Sequence, residues 1–173
     1  MNKSLLTYFA QLEQQKDNLL NELSSLSIEK LNSAPAGKWS IAQIVAHLIT
    51  AERLSIQYMQ KKIQGIEQAG DAGIVEEGKL IVLIISQRLP LRFKAPKLVK
   101  ESTPTLSTLP ELTAQWDSVR SDLKQLLEKI PDHLVKRKIY KHVFAGKLNS
   151  RQALIFFREH FIHHLPQIQR LTH

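Results

Sequence analysis

Apolar residues recur at three- and four-residue spacings over four long stretches of this 173-residue chain. This is the period of an α-helix with one buried face, and no stretch shows the strict alternation of a half-buried strand. The pattern predicts helix one over residues 4–26, helix two from 40 to about 63, helix three from 108 to 130 and helix four from 149 or 150 to about 171. We therefore predict an all-α four-helix bundle in which strands are few or absent.

Two capping boxes mark where the second and third helices begin. Ser40 is followed three residues later by Gln43, and Thr108 is followed by Glu111. In each pair the two side chains can satisfy the free N–H groups of a helix start. Pro131 ends helix three, and a polar, basic connection then leads to helix four.

The connection between helices two and three is long. It starts with a predicted loop over residues 65–78 that is rich in glycine and acidic residues, and a short apolar helix is expected over 79–88. Three prolines keep the following stretch irregular (Pro90, Pro96 and Pro104). At about 44 residues this connection can cross the bundle, so the helices need not alternate in direction along the chain.

The composition excludes several classes of site. The chain has no cysteine, which rules out disulfides, thiolate zinc sites, iron–sulfur clusters and cysteine nucleophiles. The longest apolar run, residues 80–85, is far below the roughly 18–20 residues of a membrane span. Polar residues interrupt the first 15 residues, so no signal peptide is expected. We predict one domain over residues 1–173, located in the cytoplasm and without a membrane partner.

Charge is the one unusual bulk property. Twenty-four Lys and Arg against sixteen Asp and Glu give a formal net charge of +8, and such an excess raises nucleic acid or an anionic substrate as a partner. The basic residues are densest over 88–100 and 136–151, but neither stretch has a recognition motif or regular aromatic interleaving. A solvated basic rim is the favoured interpretation, and a nucleic-acid surface is the less favoured one.

Three of the seven histidines fall on buried helix faces. On helix four, at 100° per residue, His160 and His164 lie at the centre of the apolar stripe, one turn apart. His47 lies on the apolar side of helix two. If helices two and four are antiparallel, the three imidazoles reach the same depth in the bundle, whereas parallel helices would offset them by several ångströms.

Three imidazoles at one level can bind a divalent ion and leave positions open for water and substrate, as in a catalytic or ligand-binding site. The ion would compete with protons, so occupancy is expected to fall near and below pH ~6.5, the ordinary pKa of histidine. A histidine pair four residues apart also arises by chance, and a buried histidine can instead hydrogen-bond to a backbone carbonyl. The residues by themselves leave both interpretations open.

Two helical segments resemble the signatures of the DinB-like (DNA-damage-inducible) superfamily. Residues 38–48 read Lys-Trp-Ser-Ile-Ala-Gln-Ile-Val-Ala-His-Leu, and residues 160–168 read His-Phe-Ile-His-His-Leu-Pro-Gln-Ile. The segment His-Val-Phe-Ala-Gly over 142–146 is similar to the family's His-Pro-x-x-Gly, with Val143 where proline is usual. The resemblance covers about residues 5–171.

This resemblance implies an up-down-down-up four-helix bundle with helices two and four antiparallel, frequently as a homodimer. It also implies a divalent metal, most often nickel or zinc, bound by His47, His160 and His164. Family members include transferases and isomerases that use low-molecular-weight thiols such as bacillithiol or mycothiol, and proteins described as metal-dependent hydrolases. Many members have no known activity.

The expected function is accordingly that of a divalent-metal-binding protein acting on a small molecule, as a hydrolase or as a thiol-dependent transferase. A non-catalytic metal- or ligand-binding module with a stress-related role is the alternative. A basic helical nucleic-acid binder is the third interpretation.

Further side chains near the predicted ligands have roles that the sequence leaves open. Glu52 either orients a ligand imidazole or is a solvated acid on the helix face. Gln167 either hydrogen-bonds a ligand or fills space. His163 lies at the edge of the apolar stripe, where a surface role or a role beside the ligands is expected, and His142 is expected to make a loop contact. Pro166, where the family commonly has a small residue, is expected to kink helix four near its end.

Overall fold

The computed structural model describes residues 1–88, 104 and 106–172. Within this part of the chain, four long helices form a bundle: α1 (Lys3–Leu23), α3 (Ile41–Lys62), α5 (Leu109–Glu128) and α6 (Ser150–Thr172). Shorter elements connect them: α2 (Ile28–Asn32), α4 (Ile74–Arg88) and 3-10 turns over Ile63–Gln68 and Asp132–Leu134. The strands in this part are those of one antiparallel hairpin, β1 (Lys138–His142) and β2 (Gly146–Asn149). The all-α prediction is confirmed.

The first helix runs opposite to α5. Lys16 of α1 forms an ion pair with Asp117 of α5 at 2.5 Å. One turn or more away along each helix, Phe9 and Lys124 line the same surface cavity. Since the contact moves backward along α1 as it moves forward along α5, the two helices are antiparallel.

The helices α3 and α5 run in the same direction, and α6 runs against them. Arg53 of α3 donates to Gln115 near the start of α5, and the C-terminal turns of both helices line a common cavity. His47, near the start of α3, lies beside His164, in the second half of α6. The order along the chain is therefore up, down, down, up.

Both predicted capping boxes are present. The Gln43 N–H donates to Ser40 Oγ at 3.2 Å, and the Ser40 N–H donates to Gln43 Oε1 at 3.0 Å. Thr108 and Glu111 make the same reciprocal pair at the start of α5. These bonds satisfy N–H groups that have no partner within the helix, so they determine where α3 and α5 begin.

The helix α4 begins at Ile74, inside the stretch predicted as a loop. Glu76 forms an ion pair with Lys138 of β1, and Glu77 forms one with Arg151 of α6. Acidic residues in a first turn also interact favourably with the helix dipole. Two acidic residues of the predicted loop thus belong to the first turn of a helix, where partners distant in the sequence hold them.

Two other boundaries differ from the prediction. α1 ends at Leu23, and α2 follows with Ser27 as its cap, accepting from the Lys30 N–H. The polar, basic connection between the third and fourth predicted helices contains the hairpin, which the sequence pattern did not predict. Its turn places Gly146 at φ 75°, a left-handed conformation that favours glycine.

Some predicted features lie outside the described residues, namely Pro90, Pro96, most of the basic stretch 88–100, and His173.

Pro166 lies within α6, which continues to Thr172. No helix of the described chain is both long and apolar enough to cross a membrane.

The core contains one buried ion pair that joins α3 to α5. Arg120 Nη2 donates to Glu52 Oε1 at 2.9 Å, and Trp116 Nε1 donates to Glu52 Oε2 at 3.2 Å. Arg120 and Glu52 are both at least 97% buried. Trp116 belongs to one hydrophobic cluster that includes apolar side chains of all four long helices.

Removing the cation of this pair should lower the stability of the fold. In Arg120→Met the Glu52 carboxylate stays buried without an ionic partner, and we expect the free energy of unfolding to fall by about 3–5 kcal/mol. The double variant Glu52→Leu/Arg120→Met should lose less, because no uncompensated charge remains. Urea unfolding measures both, with Lys124→Met on the exposed side of α5 as the control. Equal losses in the single and double variants would contradict this.

Candidate metal centre

Three imidazoles from two helices meet in the bundle. The ring centroid of His47 lies 5.2 Å from that of His160 and 4.9 Å from that of His164. The rings of His160 and His164 are 4.8 Å apart. One nitrogen of each ring lies within 4.8 Å of one nitrogen of each of the others, close enough to share an ion.

The local sequence and the helix direction together produce this cluster. The capping box at Ser40 starts α3 so that His47 falls in its second turn. His160 and His164 lie one turn apart on the inner face of α6. Because α6 runs antiparallel to α3, its second half meets the first half of α3. Neither helix could form the cluster by itself.

The spacing of two nitrogens suits a common ion. The Nε2 atoms of His160 and His164 are 3.2 Å apart. Two nitrogen ligands, each ~2.0–2.1 Å from a tetrahedral zinc ion, lie about 3.3–3.4 Å apart. The two side chains of α6 therefore already have the spacing of two ligands of one ion.

Gln167 contacts the outer nitrogen of His164. Its Oε1 atom lies 3.2 Å from His164 Nδ1. A neutral imidazole carries one N–H and one lone pair, so an Nδ1–H donated to Gln167 leaves the lone pair on Nε2. Histidines that bind metals usually donate their outer N–H in this way. Of the two roles the sequence left open for Gln167, this contact supports the hydrogen-bonding one.

His47 has a buried nitrogen without a partner. Its side chain is 4% exposed, it packs against Trp39 at a centroid distance of 4.9 Å, and its Nδ1 makes no hydrogen bond. The hydrogen bonds of His160 and His164 in the described chain go to each other and to Gln167, none to a backbone carbonyl. Buried polar atoms are normally paired. The contacts thus argue against three satisfied core histidines and in favour of ligands for an ion.

Burial keeps the three imidazoles neutral. It lowers the pKa of His47 to about 4 and that of His164 to about 3. Burial also lowers the pKa of His160 well below its ordinary value, and the neighbouring imidazoles lower it further. Neutral imidazole is the form that binds a metal. At neutral pH the cluster is therefore ready to bind an ion without releasing protons.

His163 lies beside the cluster and is not part of it. Its Nδ1 donates to the carbonyl oxygen of Gln87 in the last turn of α4, at 2.6 Å. Its ring is 5.0 Å from that of His164 and nearly perpendicular to it. His163 thus links α4 to α6 next to the candidate ligands.

His142 closes the hairpin turn next to the cluster. Its Nδ1 accepts from the N–H groups of Phe144 and Ala145 at 3.2 and 3.1 Å. Its ring packs edge-on against Phe156 at 4.4 Å, and Phe156 stacks on His160 with an interplanar angle of 14°. His142 makes a loop contact, as expected. Sequence reasoning missed Phe156, because a phenylalanine on an apolar helix gives no signal beyond core packing.

Glu52 matches neither role considered from the sequence. It makes no hydrogen bond to an imidazole, since Arg120 and Trp116 use its two oxygens, and it is 3% exposed rather than solvated. Burial raises its pKa, and the charge of Arg120 opposes that rise. The pairing with Arg120 could not be found from the sequence, because nothing in the local pattern links residues on separate helices.

The cluster has no carboxylate partner in the described chain. Glu52 is paired with Arg120, and Glu159, next to His160, is paired with Arg88 at 2.9 Å and with Arg158 at 2.8 Å. The site therefore offers three neutral nitrogens and no negative charge.

The contact of Gln167 with His164 predicts an effect on metal affinity. Gln167→Leu removes the acceptor and should weaken nickel or zinc binding about 10–100-fold, whereas Gln167→Glu keeps an acceptor and should retain the affinity. Competition with a chromophoric chelator measures both, and Gln169→Leu, an exposed position on the same helix, is the control. Wild-type affinity in Gln167→Leu would show that the contact does not support the ligand.

The lowered pKa values predict that the site keeps its ion at lower pH than the sequence suggested. Protons compete only when the pH approaches the folded-state values of about 4 for His47 and about 3 for His164. Occupancy should therefore persist as the pH falls below the ordinary histidine value of 6.5 and decline as it nears 4. Metal content after dialysis across this range tests it. Half-loss near pH ~6.5 would contradict the effect of burial.

Comparison with known proteins places this geometry in a family. The sequence model of one protein family, the DinB superfamily, matches residues 11–168 of the chain. This range includes α3, α5 and nearly all of α6. No curated protein matches the chain, and no solved structure matches it either. The matched range contains all three imidazoles and the helices that bring them together. With its up-down-down-up bundle, the chain belongs to the DinB superfamily.

Proposed function

We propose that this protein is a divalent-metal enzyme that activates a low-molecular-weight thiol for transfer to a small-molecule substrate. The observation that carries the proposal is the donor set, three neutral imidazoles without a carboxylate. A divalent ion bound by neutral ligands keeps its full charge. In a site with little water that charge strongly favours an anionic further ligand, such as a thiolate.

Nickel or zinc bound here would act as a Lewis acid and lower the pKa of a coordinated thiol or water molecule. The protein contributes the arrangement of the ligands. His47, His160 and His164 offer three nitrogens and leave other positions open. Gln167 orients His164 through its outer nitrogen.

Aromatic side chains cover two of the three imidazoles. Trp39 packs against His47, and Phe156 stacks on His160. Such apolar cover limits access of water and strengthens the electrostatic effect of an ion. The chain has no cysteine, so the thiol must come from a separate molecule. A reducing cytoplasm, where such thiols remain reduced, is the compartment that fits this chemistry.

Metal-dependent hydrolysis is the second candidate. Three histidines with one open position are also the donor set with which zinc activates water. For either reaction the net charge of +8 favours an acidic substrate.

A nucleic-acid partner remains the less favoured interpretation. Several cations of the basic stretch 136–151 are paired within the protein: Arg137 with Asp71, Lys138 with Glu76, and Arg151 with Glu77. Paired cations contribute less to phosphate binding than free ones.

Metal content and stability test the site first. We expect wild type to bind nickel or zinc, and His47→Ala or His164→Ala to lose most of it. His163→Ala and the exposed His133→Ala should retain it. At about 100 times the Kd, the ion should stabilise wild type by about 2.7 kcal/mol but leave His160→Ala unchanged. Equal metal content and equal melting shifts in wild type and His160→Ala would exclude the three-histidine site.

Activity assays of the metal-loaded protein then separate the candidate functions. One panel pairs low-molecular-weight thiols with electrophilic substrates, and a second contains esters and amides. Transfer of thiol that His164→Ala abolishes supports the proposal. Hydrolysis without thiol would favour the second candidate. Metal binding with no turnover in either panel would favour a non-catalytic binding module.

A further inference from the structure

The imidazole of His142 has a hydrogen-bond donor that the fold does not use. Its Nδ1 accepts from the N–H groups of Phe144 and Ala145, and a ring nitrogen that accepts a hydrogen bond carries no proton. The single N–H of the ring is therefore on Nε2, which makes no hydrogen bond within the described chain. His142 is 8% exposed, yet Nε2 is not one of the fully buried atoms that lack a partner, so solvent reaches it.

The hairpin turn holds this donor in a fixed orientation. Two backbone hydrogen bonds and the edge-on contact with Phe156 restrain the ring of His142. Burial lowers the pKa of His142 to about 4, which agrees with a neutral ring at neutral pH. A restrained donor loses less conformational entropy on binding an acceptor than a mobile surface side chain does. The Nε2–H group is therefore well suited to bind part of a ligand.

One aromatic ring separates His142 from the candidate metal centre. The ring centroid of Phe156 lies 4.4 Å from that of His142 and 5.5 Å from that of His160. His142 is also close enough to His160 to contribute to the lowered pKa of that residue. A molecule held at the metal centre by one end therefore needs only a short chain of atoms to reach His142.

Three lysines give the hairpin that carries His142 a positive charge. Lys141 and Lys147 are exposed and lie directly opposite each other on β1 and β2, a pairing of like charges that is normally unfavourable. The Nζ atom of Lys79 lies 4.0 Å from the position that a Cβ on Gly146 would occupy. Within the described residues none of the three lysines forms an ion pair. The resulting positive potential favours an anionic ligand at this side of the site.

We propose that His142 binds the carboxylate of a low-molecular-weight thiol at the metal centre, through a hydrogen bond donated by its Nε2–H. This role rests on the proposed function and narrows the class of thiol that the site accepts. An ionised carboxylate only accepts hydrogen bonds, so it matches a nitrogen that only donates. Hydrogen bonds to a charged acceptor are also stronger than those between neutral groups. An ammonium group would find no acceptor on Nε2 and would be repelled by the lysines.

A purely structural role for His142 would require only its Nδ1 atom. Asparagine can take over that role, because its side-chain oxygen accepts from the backbone N–H two residues further on in many turns. It has no atom at the position of Nε2. His142→Asn therefore keeps the contact that shapes the turn and removes the donor. His142→Gln, with a longer side chain, keeps an amide N–H that extends farther from the backbone.

Thiol binding to the nickel-loaded full chain tests this role, measured by the charge-transfer absorption of a nickel thiolate. Wild type should bind 3-mercaptopropionate at least about tenfold more tightly than 1-propanethiol, which lacks the carboxylate. His142→Asn should lose most of this preference and keep the wild-type nickel content, melting temperature and affinity for 1-propanethiol. His142→Gln should recover part of the preference. His133→Asn, at an exposed position outside the site, should retain all of it.

Failure of this role is distinguishable from failure of the thiol chemistry. Equal affinity of wild type for the two thiols, or the full preference in His142→Asn, would overturn the role of His142 and leave the thiol site intact. No absorption band with either thiol would overturn the thiol chemistry and this role with it. Nitrogen-15 NMR of the metal-free wild type checks the donor without any variant. The proton of His142 should be on Nε2 at neutral pH, and a proton on Nδ1 would overturn the proposal.

Discussion

The antiparallel packing of α3 against α6 is the constraint on which the candidate metal centre depends. His47 lies in the second turn of α3, whereas His160 lies at the middle of α6 and His164 in its second half. The three rings reach one level only because the second half of α6 meets the first half of α3. The up-down-down-up order produces this relation, and the long connection between α3 and α5 allows that order. The direction of α6 relative to α3 therefore determines whether the three candidate ligands can meet.

Burying three imidazoles in the core costs free energy of folding. Contacts within the protein do not fully offset this cost. Burial removes each ring from water, which is why the pKa values of His47 and His164 fall to about 4 and about 3. His47 Nδ1 remains buried without a hydrogen bond. A core selected for stability alone would hold apolar residues there. The same features suit a metal ion, because it requires neutral nitrogens that no other group occupies.

Two acidic residues on the helices that carry the candidate ligands form ion pairs with cations and do not contact the imidazoles. Arg120 and Trp116 engage Glu52, and Arg88 and Arg158 engage Glu159. Two acidic residues on the helices that carry the ligands are thereby neutralised without contacting the imidazoles. The electrostatic character of the site, neutral donors without a counter-charge, results from contacts between helices as much as from the ligands themselves.

The sequence by itself determined the helical class, the starts of α3 and α5 and the three histidines on buried faces, because these depend on local periodicity and on capping bonds three residues apart. The tertiary structure decided what depends on residues distant in the chain. Ion pairs with Lys138 and Arg151 hold Glu76 and Glu77 in the first turn of a helix. Glu52 pairs with Arg120, and Gln167 contacts His164. The tertiary structure also lowered the histidine pKa values, since desolvation depends on everything packed around a ring and on nothing that the residue's own neighbours in sequence encode.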